Sequence, residues 1–145
     1  MSKVILSLLL FFLLVLFPNY DHAGSIKQEY ELQERCGKRA AEVFKEHYGE
    51  GFEKGSLSNY TCHYNRKLNR CFMLLTTIIY SKIEKGEMDL GVFTDKGLWD
   101  INENKAFGHY SAFSKAPKTM DCNVLEKGCH SENDWNVLVK PFMEE

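Results

Sequence analysis

The stretch LSNYTCHYNRKLNRCFMLLTTIIYSKI, residues 57–83, decides how this chain folds. Its first part alternates, with Tyr60, Cys62 and Tyr64 on one face and polar residues on the other, which is the period of a half-buried β-strand. After a turn at 67–69, the chain is rich in Ile, Leu, Thr and aromatic residues and is apolar on both faces. We therefore predict a hairpin with strands over 57–65 and 71–83, the second of them central in a sheet.

Three further strands are predicted after this hairpin, over 88–94, 98–101 and 106–113. Asp95-Lys96-Gly97 and residues 102–105 have the composition of turns and separate these strands. Because the connections are short, successive strands should pair antiparallel as a meander. The sequence thus predicts a five-stranded antiparallel sheet.

A long amphipathic helix is predicted before the strands. Ser25-Ile26-Lys27-Gln28 has the form of a capping box, and Gly49 supplies a stop after Tyr48. Between them an apolar stripe recurs at three- and four-residue spacing and includes Ile26, Tyr30, Cys36, Ala40, Val43 and Phe44.

A short second helix is predicted after the strands. Its capping box is Ser131-Glu132-Asn133-Asp134, its apolar face includes Trp135 and Phe142, and Pro141 should kink or end it. The fold class is therefore expected to be α+β, with a long N-terminal helix packed across one face of the five-stranded meander and a short C-terminal helix.

The N-terminus has the composition of a secretory signal peptide. Lys3 precedes an almost wholly apolar run over 4–17, which Pro18 and a polar segment follow. As a helix this run would span about 21 Å, short of the roughly 30 Å of a bilayer core, so cleavage after Ala23 is favoured over an uncleaved signal anchor. We expect a signal peptide over 1–23 and one domain over 24–145, periplasmic or secreted and without a stable membrane anchor.

All five cysteines follow the predicted signal peptide, and an oxidising compartment makes disulfides their default state. Cys122 and Cys129 bracket a short turn and are expected to be bonded. Cys71 begins the central strand, and its favoured partner is Cys36 on the inward stripe of the long helix. The alternative, Cys62–Cys71, closes a loop that the hairpin turn already closes. Cys62 would then be a free thiol.

No motif for a cofactor, metal ion or catalytic residue emerges from the sequence. Cys62-His63 and Cys129-His130 lack the earlier cysteine of a c-type haem attachment sequence. His47, His63, His109 and His130 are not paired at zinc-ligand spacing. Cys62 is a candidate nucleophile, but on a strand His63 would point to the opposite face and would not activate it.

The remaining observations favour binding over catalysis. The net charge of −2 and the scattered basic residues do not indicate a nucleic-acid surface. Six aromatic residues could line a groove, although such residues more often form the core: Tyr60, Tyr64, Trp99, Phe107, Tyr110 and Phe113. The leading hypothesis is a non-enzymatic module that binds a protein, peptide or small molecule through the sheet face or the loops around Lys67 and Ser114. The alternative is a thiol-dependent enzyme or redox protein using Cys62.

The hairpin also carries a resemblance. The run HYNRKLNRCF over 63–72, with Cys36 in a preceding helix and Cys129-His130-Ser131 before a closing helix, resembles a family of small secreted bacterial proteins without a characterised activity. The resemblance implies a bacterial exported protein and carries no catalytic residue over to this chain. The order of elements is also similar to that of cystatin-like rolls, which does not imply protease inhibition.

Overall fold

The structure, a computed structural model, describes residues 21–53, 55–80 and 90–144 of the 145-residue chain. By its contacts the chain divides into two units, residues 1–31 and residues 32–145. The apolar run of the predicted signal peptide and the link between the predicted strands over 71–83 and 88–94 lie outside the described residues. No helix in the described ranges is long and apolar enough to cross a membrane.

The predicted N-terminal helix is present as α1 (Asp21–Tyr48). It begins before Ser25, so the prediction that Ser25 caps its N-terminus was wrong. Its predicted end is confirmed, because Gly49 adopts a left-handed φ of 56°. The apolar stripe is buried only in its second half, where Cys36 and Ala40 are in the core, whereas Ile26 and Tyr30 are exposed.

The sheet is an antiparallel meander in which each strand pairs with the next along the chain. Within the described residues its strands are β1 (Phe52–Glu53), β2 (Ser56–Asn65), β3 (Arg70–Ile79), β4 (Phe93–Asp100), β5 (Lys105–Phe113), β6 (Asp121–Val124) and β7 (Lys127–Gly128). The fold class is therefore α+β, as predicted. β2, β3 and β5 match predicted strands, whereas the short strands β1, β6 and β7 were not predicted.

The region around Asp95 forms one strand where the sequence predicted two. β4 continues through Asp95-Lys96-Gly97 and pairs with β3 and β5 on its two sides. The predicted turn was wrong because long-range contacts override the local turn preference. The side chain of Asp95 binds His109 on β5, and that of Lys96 binds Glu132 beyond the sheet.

Two hydrophobic clusters cover the two faces of the sheet. On one face Cys71 and Met73 of β3 pack with Cys36 and Ala40 of α1. On the other face the cluster joins strands to the C-terminal helix and includes Phe72, Leu98, Tyr110, Val124, Trp135 and Val139. Because successive strand residues point to opposite faces, β3 contributes to both clusters, as expected of a central strand.

The C-terminal helix, α2 (Glu132–Met143), begins at the predicted capping box. Ser131 is its N-cap, and the Oγ of Ser131 accepts a hydrogen bond from the backbone N–H of Asp134 at 3.1 Å. Pro141 lies inside the helix, and its carbonyl accepts a hydrogen bond from Nδ2 of the buried Asn65 at 2.9 Å. This bond connects the β2–β3 hairpin to the last turn of α2.

Both predicted disulfides are in the structure. Cys36–Cys71 joins α1 to the start of β3 with a Cα–Cα distance of 5.4 Å, and Cys122–Cys129 closes the β6–β7 hairpin with a distance of 5.0 Å. Cys62 is the free cysteine among the described residues. Two disulfides in a small domain indicate an oxidising, extracytoplasmic environment.

Candidate functional site

Cys62 does not form an activated pair with its neighbour His63. Cys62 packs against the cluster that includes Cys36 and Cys71, and the alternation of β2 directs His63 to the opposite face. Burial raises the pKa of the Cys62 thiol above its ordinary value of 9.0. Because the thiolate is the reactive form, this environment lowers the reactivity of Cys62 near neutral pH.

The other residues considered in the sequence analysis are dispersed over the fold. Tyr60, Tyr64 and Trp99 pack against the cluster facing α1, whereas Phe107 and Tyr110 belong to the cluster facing α2. The sixth, Phe113, packs against Phe93 of β4 with ring centroids 5.0 Å apart. The six aromatic residues therefore do not line one groove. Nor does the described part of the chain contain a group of three or more His, Cys, Asp or Glu residues placed to hold a metal ion.

The two loops considered as binding surfaces lie at opposite ends of the sheet. Lys67 is in the turn after β2, and Ser114 directly follows β5. β2 and β5 run in opposite directions in the meander, so the chain leaves them at opposite ends. These two loops therefore do not contribute to one shared binding surface.

The sheet face that contacts the second half of α1 also carries a cluster of charged residues from three adjacent strands. His109 of β5 lies between Asp95 of β4 and Asp121 of β6. Its Nε2 is 2.7 Å from Oδ1 of Asp95, and its Nδ1 is 2.8 Å from Oδ2 of Asp121. The side-chain amide of Asn123 donates a further hydrogen bond to Oδ1 of Asp121 at 2.9 Å. We call Asp95, His109 and Asp121 the carboxylate–imidazole cluster.

The cluster favours a positively charged imidazole. Burial opposes the charge on His109, but hydrogen bonds to Asp121 and Asp95 outweigh it and raise the pKa of His109 above its ordinary value of 6.5. The hydrogen bond to His109 is also the main cause that lowers the pKa of Asp121 below 3.8. An imidazole bound at both nitrogens has no free lone pair, so His109 is not placed to act as a general base.

A cavity of about 390 Å³ lies beside the carboxylate–imidazole cluster. Aromatic and aliphatic side chains of Tyr48, Leu75 and Trp99 line part of it, and Asp95 and His109 line another part. Burial raises the pKa of Tyr48, and the negative charge of Asp95 adds to that effect. The cavity thus combines apolar walls with a few polar groups, which is the usual composition of a small-molecule site.

Trp99 lies closely over the backbone of Gly97. A Cβ atom at Gly97 would be 2.5 Å from Nε1 of the indole, so only glycine permits this arrangement. Trp99 also borders a second cavity, of about 360 Å³, together with Tyr48 and Leu75. The position of one indole ring therefore determines the shape of two adjoining cavities.

In the sequence His109 is an isolated histidine, Asp95 belongs to a predicted turn, and Asp121 matches no pattern. These residues are far apart in sequence and match no motif. The signal that was missed is strand alternation: once β4 is continuous, Asp95 shares a face with Gly97 and Trp99. Charged residues on the same face of neighbouring strands are then expected to lie close together.

Comparison of the chain with protein-family models gives no match, and comparisons with curated proteins and with solved structures give no significant match.

Proposed function

We propose that this chain is an exported bacterial binding module that holds a small molecule in the cavity beside Asp95 and His109. The observation that carries the proposal is the cavity itself, about 390 Å³ in volume, with aromatic walls and a fixed cluster of charges. Cavities of this size and composition suit small organic molecules. Protein and peptide partners are less favoured, because the ligand groups converge in a concave site.

A non-enzymatic role agrees with the chemistry of the candidate residues. Both nitrogens of His109 are bound to carboxylates, and the environment of Cys62 disfavours its thiolate. Export agrees with the predicted leader over 1–23 and with the two disulfides. The net charge of −2 disfavours nucleic acid as a partner.

The proposal is tested by screening a fragment library with ligand-observed NMR. The key variant is Ala106→Leu, because Ala106 lines the cavity with an exposed side chain, and a larger residue there should fill space without disturbing the core. Ala41→Leu is the matched control, since Ala41 is exposed on α1 and does not line the cavity. We expect fragments that bind the parent and Ala41→Leu but not Ala106→Leu. Fragments that bind all three proteins equally, or no fragment hits, would contradict the proposal.

A further inference from the structure

We propose that the cavity selects a small organic cation, an ammonium group carried on an apolar or aromatic body. This inference rests on the proposed small-molecule site and names its ligand class. Three features of the cavity support it: the net charge of its lining, its aromatic walls and its apolar surface.

The charged side chains that line the cavity, together with Asp121 behind them, are negative on balance. Asp95 and His109 line the cavity, and Asp121 binds the far nitrogen of His109. Two carboxylates and one imidazolium give a net charge of −1. No lysine or arginine side chain is among the described residues that line the cavity. An anionic ligand would therefore meet uncompensated negative charge, whereas a cation would neutralise it.

Asp95 is placed to accept a hydrogen bond from the ligand. It uses Oδ1 to bind His109, and 34 % of its side chain remains exposed. A carboxylate has acceptor capacity for several hydrogen bonds, so Oδ2 can accept one from a ligand. An ammonium group offers up to three donors and the complementary charge.

The aromatic walls provide a second recognition element for a cation. Tyr48 and Trp99 both line the cavity, and a cation over the face of such a ring is attracted by the ring quadrupole. The negative charge of Asp95 contributes to the raised pKa of Tyr48, so the field of this carboxylate reaches the phenol. Carboxylate and aromatic rings therefore act on the same region of the cavity.

The rest of the cavity accommodates an apolar group. Leu75, Ala106 and Leu125 line it together with the two aromatic rings. A ligand that carried only charge would leave these surfaces in contact with water. A ring or short alkyl chain attached to the ammonium group would cover them.

Benzylamine, benzyl alcohol and benzoate provide the test, because they share one ring and differ in charge. Binding is measured at about pH 6, where the raised pKa of His109 keeps the imidazole charged. The readout is the fluorescence of Trp99 in a Trp135→Phe background, confirmed by calorimetry. We expect benzylamine to bind at least about tenfold more tightly than either analogue.

Two variants that change the charge of the site in opposite directions distinguish recognition of a cation from a general loss of structure. Asp95→Asn should weaken benzylamine binding about tenfold, and His109→Gln, which removes a positive charge, should tighten it about threefold. Glu144→Gln is the control for net charge, because Glu144 is exposed at the end of α2 and binds Lys140. It should leave binding unchanged. Circular dichroism confirms that each variant is folded.

The outcomes distinguish the two proposals. Equal binding of the three probes, or a preference for benzoate, with loss of binding in Ala106→Leu would overturn the cation class and leave the small-molecule site standing. Weakening of benzylamine by both Asp95→Asn and His109→Gln would also overturn the cation class. Absence of benzylamine binding at about 10 mM would overturn it as well, and the fragment screen would then decide independently whether the site binds small molecules.

Discussion

Cys36 and Cys71 are bonded across 35 residues of sequence, and the bond fixes the middle of α1 to the first part of the central strand β3. Both residues are almost fully buried, with exposed fractions of 4 % and 1 %. The free Cys62 lies on the neighbouring strand and packs against the same cluster. One of the three cysteines in this part of the core therefore carries no cross-link.

Cys36→Ser should lower the free energy of unfolding by about 3–4 kcal/mol, because it removes the cross-link between helix and sheet. Cys62→Ser should cost about 1 kcal/mol, since it replaces one half-buried thiol and breaks no bond. Chemical denaturation under oxidising conditions measures both variants. Equal losses, or a larger loss for Cys62→Ser, would show that Cys62 is a partner of Cys71 in solution.

The thiol of Cys62 should react slowly with a disulfide reagent in the native protein and rapidly after denaturation. Burial raises its pKa, so little thiolate is present near neutral pH. The measurement is a time course of thiol labelling with and without guanidinium chloride, with Cys62→Ser as the blank. Rapid native labelling at neutral pH would instead favour the thiol-dependent enzyme or redox protein.

The elements that could be predicted from the sequence are those whose pattern is local. Strand alternation in β2, the apolar run of β3 and the capping box of α2 each depend on residues within one element. The disulfides could be predicted because five cysteines allow few sensible pairings once the elements are placed.

The candidate site could not be predicted because it depends on register between strands. Gly97 and Asn123 lie directly opposite His109 on β4 and β6, so Asp95 and Asp121 are its diagonal neighbours. That register follows from a continuous β4, whereas Asp95-Lys96-Gly97 has the local composition of a turn. The turn predicted within β4 and the absence of a predicted β6 thus concealed the cluster.

The carboxylate–imidazole cluster should stabilise the fold over a limited pH range. Because the pKa of His109 is raised, its contribution is fully present below pH 6.5 and is lost as pH rises through the folded-state pKa. Because the pKa of Asp121 is lowered, its contribution is present above pH 3.8 and is lost as pH falls through its folded-state pKa. The cluster should therefore stabilise the fold most between pH 3.8 and pH 6.5.

Thermal melts of the parent and His109→Gln test this pH dependence. The difference in Tm between the two proteins should be largest at about pH 5–6 and should shrink towards about pH 9. An NMR titration of the His109 ring should give a midpoint above 6.5. A midpoint below that value would mean that burial outweighs the two carboxylates in solution.

The mature protein should begin near Gly24. The apolar run over 4–17 is too short to span a bilayer. A short polar segment follows it and leads to Ala23 and Gly24, small residues of the kind found at a cleavage site. N-terminal sequencing of protein from the extracytoplasmic fraction identifies the first residue. Recovery of an intact chain beginning at Met1 from the membrane fraction would support the uncleaved anchor instead.

Gly97→Ala should displace the indole of Trp99 and lower the free energy of unfolding by about 1–3 kcal/mol, because a Cβ atom there would be 2.5 Å from Nε1. In a Trp135→Phe background Trp99 is the remaining tryptophan, so its fluorescence should report the displacement as a shift in the emission maximum.

Gly37→Ala is the matched control: Gly37 lies within α1, and nothing lies within 4 Å of its added Cβ. That variant should gain about 0.5–1 kcal/mol from helix propensity, with no change in Trp99 emission. Unchanged emission and stability in Gly97→Ala would mean that Trp99 does not rest on Gly97, and the boundary between the two cavities would have to be placed elsewhere.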